Sequence, residues 1–143
     1  MNCHISLRNG IVYMPTMGRM SRGFYRGVEP VAVVPAKATE ALRQALKATI
    51  ARGNPAVSQP QRRHDWPPPV VLKYAGVKSW SAFERGLQVW DLNESDGIFQ
   101  IAGNTRGPQG WVEDRDQAIN FPLGTSVDSV IDRMIAILQD API

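Results

Sequence analysis

Leu87-Gln88-Val89-Trp90-Asp91-Leu92-Asn93-Glu94-Ser95-Asp96-Gly97-Ile98-Phe99-Gln100-Ile101-Ala102 is the stretch on which the fold turns. Apolar residues concentrate in Leu87 to Leu92 and again in Ile98 to Ala102. The five residues between, Asn93 to Gly97, are polar and end in glycine, which predicts two antiparallel strands joined by a hairpin loop. A second, glycine-rich turn is expected over Gly103 to Gly110. Trp111-Val112 and Ala118 to Phe121 supply further strand material around the charged run Glu113-Asp114-Arg115-Asp116. The result is a central meander.

Working towards the amino terminus, His4 to Leu7 and Ile11 to Met14 flank Arg8-Asn9-Gly10, and Asn-Gly is a strong hairpin signal because both residues tolerate positive φ. Pro15 is expected to end that pairing, with Thr16 to Arg22 a polar loop. Phe24-Tyr25 and Val31 to Val34 read as two more strands joined through Gly27-Val28-Glu29-Pro30.

Two helices follow from apolar spacing. Leu42, Ala45, Leu46, Thr49 and Ile50 share one face of a helix over 38–52, with Gly53 a ready cap and Pro55 a stop. Val127, Val130, Ile131, Met134, Ile135 and Leu138 recur at helical spacing near the carboxyl end, and Thr125 with Asp128 resembles a capping box. A short turn is expected around Trp80 and Phe83. The fold class is therefore α+β: antiparallel strands in two groups, the N-terminal hairpins and the central meander, with an amphipathic helix after each. Residues 1–143 read as one domain. A Pro-rich connector at about 54–69 holds five prolines, favouring extended chain without ladder bonds, and it carries the basic pair Arg62-Arg63.

At 43% apolar and 20% charged, this is an ordinary globular composition. No apolar run approaches the roughly 18 residues of a membrane span, and nothing in the first 25 residues resembles a signal peptide. Cys3 is the single cysteine, which excludes an internal disulfide or multi-cysteine zinc site and favours a reducing compartment. The charge divides unevenly. Residues 1–65 hold ten Arg or Lys against three acids, and residues 66–143 hold six against ten, so a basic front of +7 precedes an acidic back of −4.

Chemistry is hard to find. His4 and His64 are the only histidines, and His64 beside Asp65 in extended chain would point away from its neighbour. The Asp91 to Gly97 segment opens like a calcium loop but has Asp96 where glycine is needed and Ala102 where glutamate is needed. Gly103 to Gly110 lacks the Lys-Ser/Thr of a phosphate loop. The reading is of a non-enzyme with no cofactor and no metal.

Two sets could carry recognition. The acids Asp91, Glu94, Asp96, Glu113, Asp114 and Asp116 gather around the loops of one meander, with Trp90 and Trp111 nearby. Acids around an aromatic anchor suit a basic protein surface, and the alternative is solvated loop acids with core tryptophans. The basic set Arg8, Arg19, Arg22 and Arg26, interleaved with Tyr13 and Tyr25, offers phosphate contacts and stacking, which leaves a small nucleic-acid-binding module as the rival. No single-strand module signature accompanies it. A small hydrolase assembled around His4 or His64 is the third class.

Ile11-Val12-Tyr13-Met14-Pro15, Gly23-Phe24-Tyr25 leading to Glu29-Pro30-Val31, Lys73-Tyr74-Ala75-Gly76-Val77-Lys78-Ser79-Trp80-Ser81-Ala82-Phe83, and Phe121-Pro122-Leu123-Gly124-Thr125 resemble immunity proteins (CdiI type) of bacterial contact-dependent growth inhibition systems. The resemblance is of the whole sequence and transfers no catalytic pattern. It implies a small cytoplasmic protein that binds and neutralises the C-terminal toxin domain of its own system, often a nuclease such as a tRNase, by blocking its active site or substrate path. Asp91, Glu94, Asp96, Glu113, Asp114, Asp116, Trp90 and Trp111 are then the expected toxin-binding residues. A nuclease must present positive charge to hold an RNA backbone, and an acidic surface can occupy that field.

Overall fold

A computed structural model describes residues 1–142, apart from the side chain of Arg63. The chain runs β1 (Asn2–Arg8), β2 (Ile11–Arg19), β3 (Tyr25–Pro35), α1 (Thr39–Arg52), α2 (Val71–Ala75), α3 (Trp80–Phe83), β4 (Gln88–Ser95), β5 (Ile98–Gly107), β6 (Gly110–Glu113), β7 (Ile119–Asn120) and α4 (Val127–Asp140). The α+β reading holds. The two strand groups are one antiparallel sheet, because β1 pairs with β2 on one side and with β4 on the other. Strand order is β3-β2-β1-β4-β5-β6, with β7 also against β5.

Both sharp hairpins are two-residue turns at positive φ. Asn9 and Gly10 sit at 53° and 76°, and Asp96 and Gly97 at 53° and 81°. Their twist matches that of the flanking strands. The second turn is shorter than expected: Asn93, Glu94 and Ser95 belong to β4 and pair with Gln100, Phe99 and Ile98. Gly103 to Gly107 likewise lie in β5, and only Pro108-Gln109 turns.

Pro15 does not end pairing. It lies inside β2 opposite Val31, and β2 continues to Arg19. The register shifts between Pro15 and Thr16, so that Thr16 pairs with Val28 and Glu29-Pro30 bulge from β3. A bulge accommodates a residue without an amide hydrogen. Thr16 Oγ1 closes the gap by donating to the Pro30 carbonyl at 2.9 Å. The expected separate strands at Phe24-Tyr25 and Val31 to Val34 are thus one bent strand, β3.

Strand alternation builds two cores. Cys3, Ile5, Leu7, Val12, Met14, Leu92 and Ile101 face α1 and α4, where Leu42, Leu46, Val130, Ile131, Met134, Ile135 and Leu138 meet them. Val127, assigned to that stripe by spacing, is 39% exposed on the first turn of α4. The cap of α4 is Ser126, whose hydroxyl accepts from the Ser129 amide at 3.1 Å; Thr125 instead donates to the Pro122 carbonyl. The opposite sheet face carries a smaller core of Tyr13, Val89 and Leu87 beneath α2 and α3, with Phe83 fully buried and edge-on to Tyr13.

The proline-rich segment is held more firmly than its composition implies. Asn54 Nδ2 donates to the carbonyls of Asn2 and Met17, each at 2.8 Å, and its Oδ1 accepts from the Asn2 amide. Two ladder bonds then join Pro55 and Val57 to Arg19. Val57 packs so closely on Gly18 that a Cβ there would lie 2.5 Å from its Cγ1.

Candidate functional site

Strand pairing sets Asn2 opposite Asn93 and His4 opposite Asp91, on the face turned away from α1 and α4. There the side chains form a polar row. His4 Nδ1 lies 3.1 Å from Asp91 Oδ1, Asn104 Nδ2 donates to Asp91 Oδ2 at 3.0 Å, and Asn2 Nδ2 donates to Asn93 Oδ1 at 2.7 Å. Asn93 Nδ2 extends the row to Glu113 Oε1 at 3.2 Å. Asp91 is 8% exposed. Burial pushes its carboxyl up, but the bond to His4, the charge of His4 and the amides of Asn104 and Asn2 outweigh it and hold the group below the usual carboxylate range. A carboxylate with this many donors orders the strands it spans.

The residues expected to bind a partner separate into groups. Asp91 belongs to the buried row. Glu94 stands near the end of β4, Asp96 is exposed in the β4–β5 turn, and Asp116 is exposed in the 3-10 turn at Arg115–Gln117. Asp114 anchors its amide to the Gly103 carbonyl at 2.8 Å, directly across from Trp90 in the ladder. The two tryptophans lie on opposite faces of the sheet: Trp90 borders the α1–α4 core, and Trp111 borders the second core and donates Nε1 to Glu84 at 2.8 Å. Alternation along β4 therefore divides Trp90 from Asp91, and the acids do not converge on both rings. A cleft of about 330 Å³ does bring Trp90, Asp114, Gln117, Ile119 and Ile137 together.

The basic set is divided as well. Tyr13 is buried, and Arg8 reaches the Ala82 carbonyl with its guanidinium 5.8 Å from the Phe83 ring centre. Arg19, Arg22, Phe24 and Tyr25 stay exposed at the β2–β3 hairpin tip. His64 and Asp65 lie 3.4 Å apart because the chain makes a 3-10 turn there instead of running extended, yet both are open to solvent. The Cys3 thiol is buried, and desolvation pushes its pKa up to about 11, against a smaller lowering by the terminal amine. Among the described residues no cluster of three or more His, Cys, Asp or Glu could hold a metal, and no helix is long and apolar enough to cross a membrane.

Sequence reading missed the His4–Asp91 pair and its amide partners. Their signal was present as polar residues at two-residue spacing, Asn2-His4-Ser6 in β1 and Asp91-Asn93 in β4. Only the β1–β4 register makes them neighbours.

Neither a protein-family model nor a curated protein sequence matches this chain. Solved structures do match it end to end. A protein of unknown function from Neisseria meningitidis, NMB0488, shares the fold with a TM-score of 0.65 at 13% identity, over 96% of this chain and 92% of that one. A chain of the CdiA-CT/CdiI toxin and immunity complex from Yersinia pseudotuberculosis does so with a TM-score of 0.58 at 10% identity, over 96% and 95%. The class defined is an α+β fold of the kind seen in that toxin and immunity complex.

Proposed function

We propose that this protein is an immunity protein of a contact-dependent growth inhibition system, binding the C-terminal toxin domain of its cognate effector in the cytoplasm and acting without catalysis. The observation that carries this reading is the end-to-end likeness of the fold to a chain of a toxin and immunity complex. Loops and turns rich in acid support a basic partner. Glu94, Asp96, Asp114 and Asp116 supply the electrostatic rim, with Glu113 held in the row on the opposite face, and the cleft beside Trp90 offers the apolar pocket that rim charges need. Nanomolar neutralisation corresponds to about 12 kcal/mol, more than surface ion pairs provide. A toxin that holds RNA through a basic track would be blocked by this surface. Asp91 serves by ordering the strands behind it, and Trp111, on the other face, braces β6 through Glu84.

The test is to find whether a large secreted protein with a variable C-terminal domain is encoded beside this chain and to co-express that domain with it. Restored growth and a stable purified complex are expected. Undiminished toxicity with no complex would overturn the proposal. Salt-sensitive binding of RNA by the purified protein alone would instead favour the exposed arginines and aromatics of the β2–β3 hairpin as a nucleic-acid surface.

A further inference from the structure

A cavity of about 310 Å³ lies between the open sheet face and the proline-rich segment where that segment crosses β2 and β3. Pro15, Met17, Trp66 and Trp80 give it apolar and aromatic walls. Its polar groups are His4, Ser6 and Arg26, and among the described residues no carboxylate lines it. Such a volume, mostly apolar with a few convergent polar groups, is at the small end of ligand sites.

The polar groups are incompletely used. Among the described residues Arg26 Nε is buried without a hydrogen-bond partner, while Nη2 makes a 3.3 Å bond to the Ser58 carbonyl. Arg26 forms no ion pair among the described residues. Arg8 Nε is similarly unpaired, but that guanidinium is near the Phe83 ring. What bears on the cavity is the Arg26 guanidinium as a whole, which lines it with its charge unpaired. Asp91 occupies His4 Nδ1, and among the described residues Nε2 of this cavity-lining ring has no partner. Ser6 lines the same wall and is 2% exposed.

We propose that this cavity binds a small aryl carboxylate, with its ring among Trp66, Trp80 and Met17 and its carboxylate against Arg26. The charge selects the class. One unpaired guanidinium and no wall carboxylate favour a monoanion, and planar bidentate recognition of carboxylates is what arginine does best. Aromatic and proline walls favour a flat ring over a sugar or a polyphosphate. This site is separate from the acidic surface of the immunity reading and stands or falls without it.

The experiment is titration of the full chain with phenylacetate, benzyl alcohol and acetate, followed by amide chemical shifts in two-dimensional nuclear magnetic resonance. Phenylacetate is expected to shift Gly27 and Val71 saturably, with a dissociation constant below about 1 mM. Benzyl alcohol, which keeps the ring, and acetate, which keeps the charge, are each expected to bind at least about tenfold more weakly. Arg26→Met is expected to lose about tenfold for phenylacetate while keeping the native spectrum elsewhere. Trp66→Ala, on the exposed segment, gives a second variant that spares the sheet. No saturable shift by phenylacetate, equal binding of benzyl alcohol, or undiminished binding by both variants would overturn the proposal.

Discussion

His4 Nδ1 and Asp91 Oδ1 stand 3.1 Å apart across the β1–β4 pair, joining residues 87 positions apart in sequence at the seam between the two strand groups. Because Asp91 is buried and its pKa is held low, its charged form stabilises the fold. A depressed folded pKa contributes stability above the ordinary carboxylate pKa of about 4, and that contribution fades as pH falls through the folded value. Asp91→Asn is expected to lower stability by about 1.5–3 kcal/mol at pH 6, with the gap to wild type narrowing below about pH 4. Urea midpoints between pH 3 and 7 check this, and a gap that stays constant would contradict it.

Ile131 is fully buried on α4, whereas Val127, one turn earlier, is 39% exposed. Burying a lone carboxylate costs far more than a small domain can spare. Ile131→Asp is expected to abolish folding, and Val127→Asp to change stability by less than about 0.5 kcal/mol. Circular dichroism melts of the two variants decide it; two similar melting curves would refute the assignment of faces.

The buried Cys3 thiol, with its pKa pushed up to about 11, carries little thiolate at neutral pH. Alkylation by iodoacetamide at pH 8 is expected to be about a hundredfold slower in the native protein than in urea, since thiolate is the nucleophile. Mass spectrometry over a time course provides the rates. Equal rates would mean that β1 opens freely.

Glu94, Asp114 and Asp116 form no side-chain ion pair among the described residues, so reversing them is expected to leave the fold intact. Replacement of all three by Lys is expected to weaken binding of the proposed toxin partner at least about tenfold and to flatten its salt dependence. Calorimetry at two salt concentrations checks both. Unchanged affinity and slope would remove the acidic rim while leaving the immunity role open to another face.

Much of the fold could be read from the sequence because its signals are local. Asn9-Gly10, the periodicities of α1 and α4, and Gly53 after Arg52 act within a few residues. Errors arose where a distant partner decided the outcome. Pro15 stays in its strand because β3 bulges opposite it, and the proline-rich segment gains ladder bonds because Asn54 is clamped to β1 and β2. Asp91 looked like one of six surface acids, and only the register of β1 on β4 buries it.

What the sequence determined alone is the α+β class, the amphipathic helices and the uneven charge, since backbone conformation and side-chain periodicity are set by neighbours along the chain. Tertiary structure alone decided that two strand groups form one sheet, that Trp90 and Trp111 face opposite ways, and that a proline-covered cavity meets His4 and Arg26. The reason is physical. A one-residue change in register turns every side chain of a strand to the other face, and pairing between strands more than eighty residues apart fixes that register here.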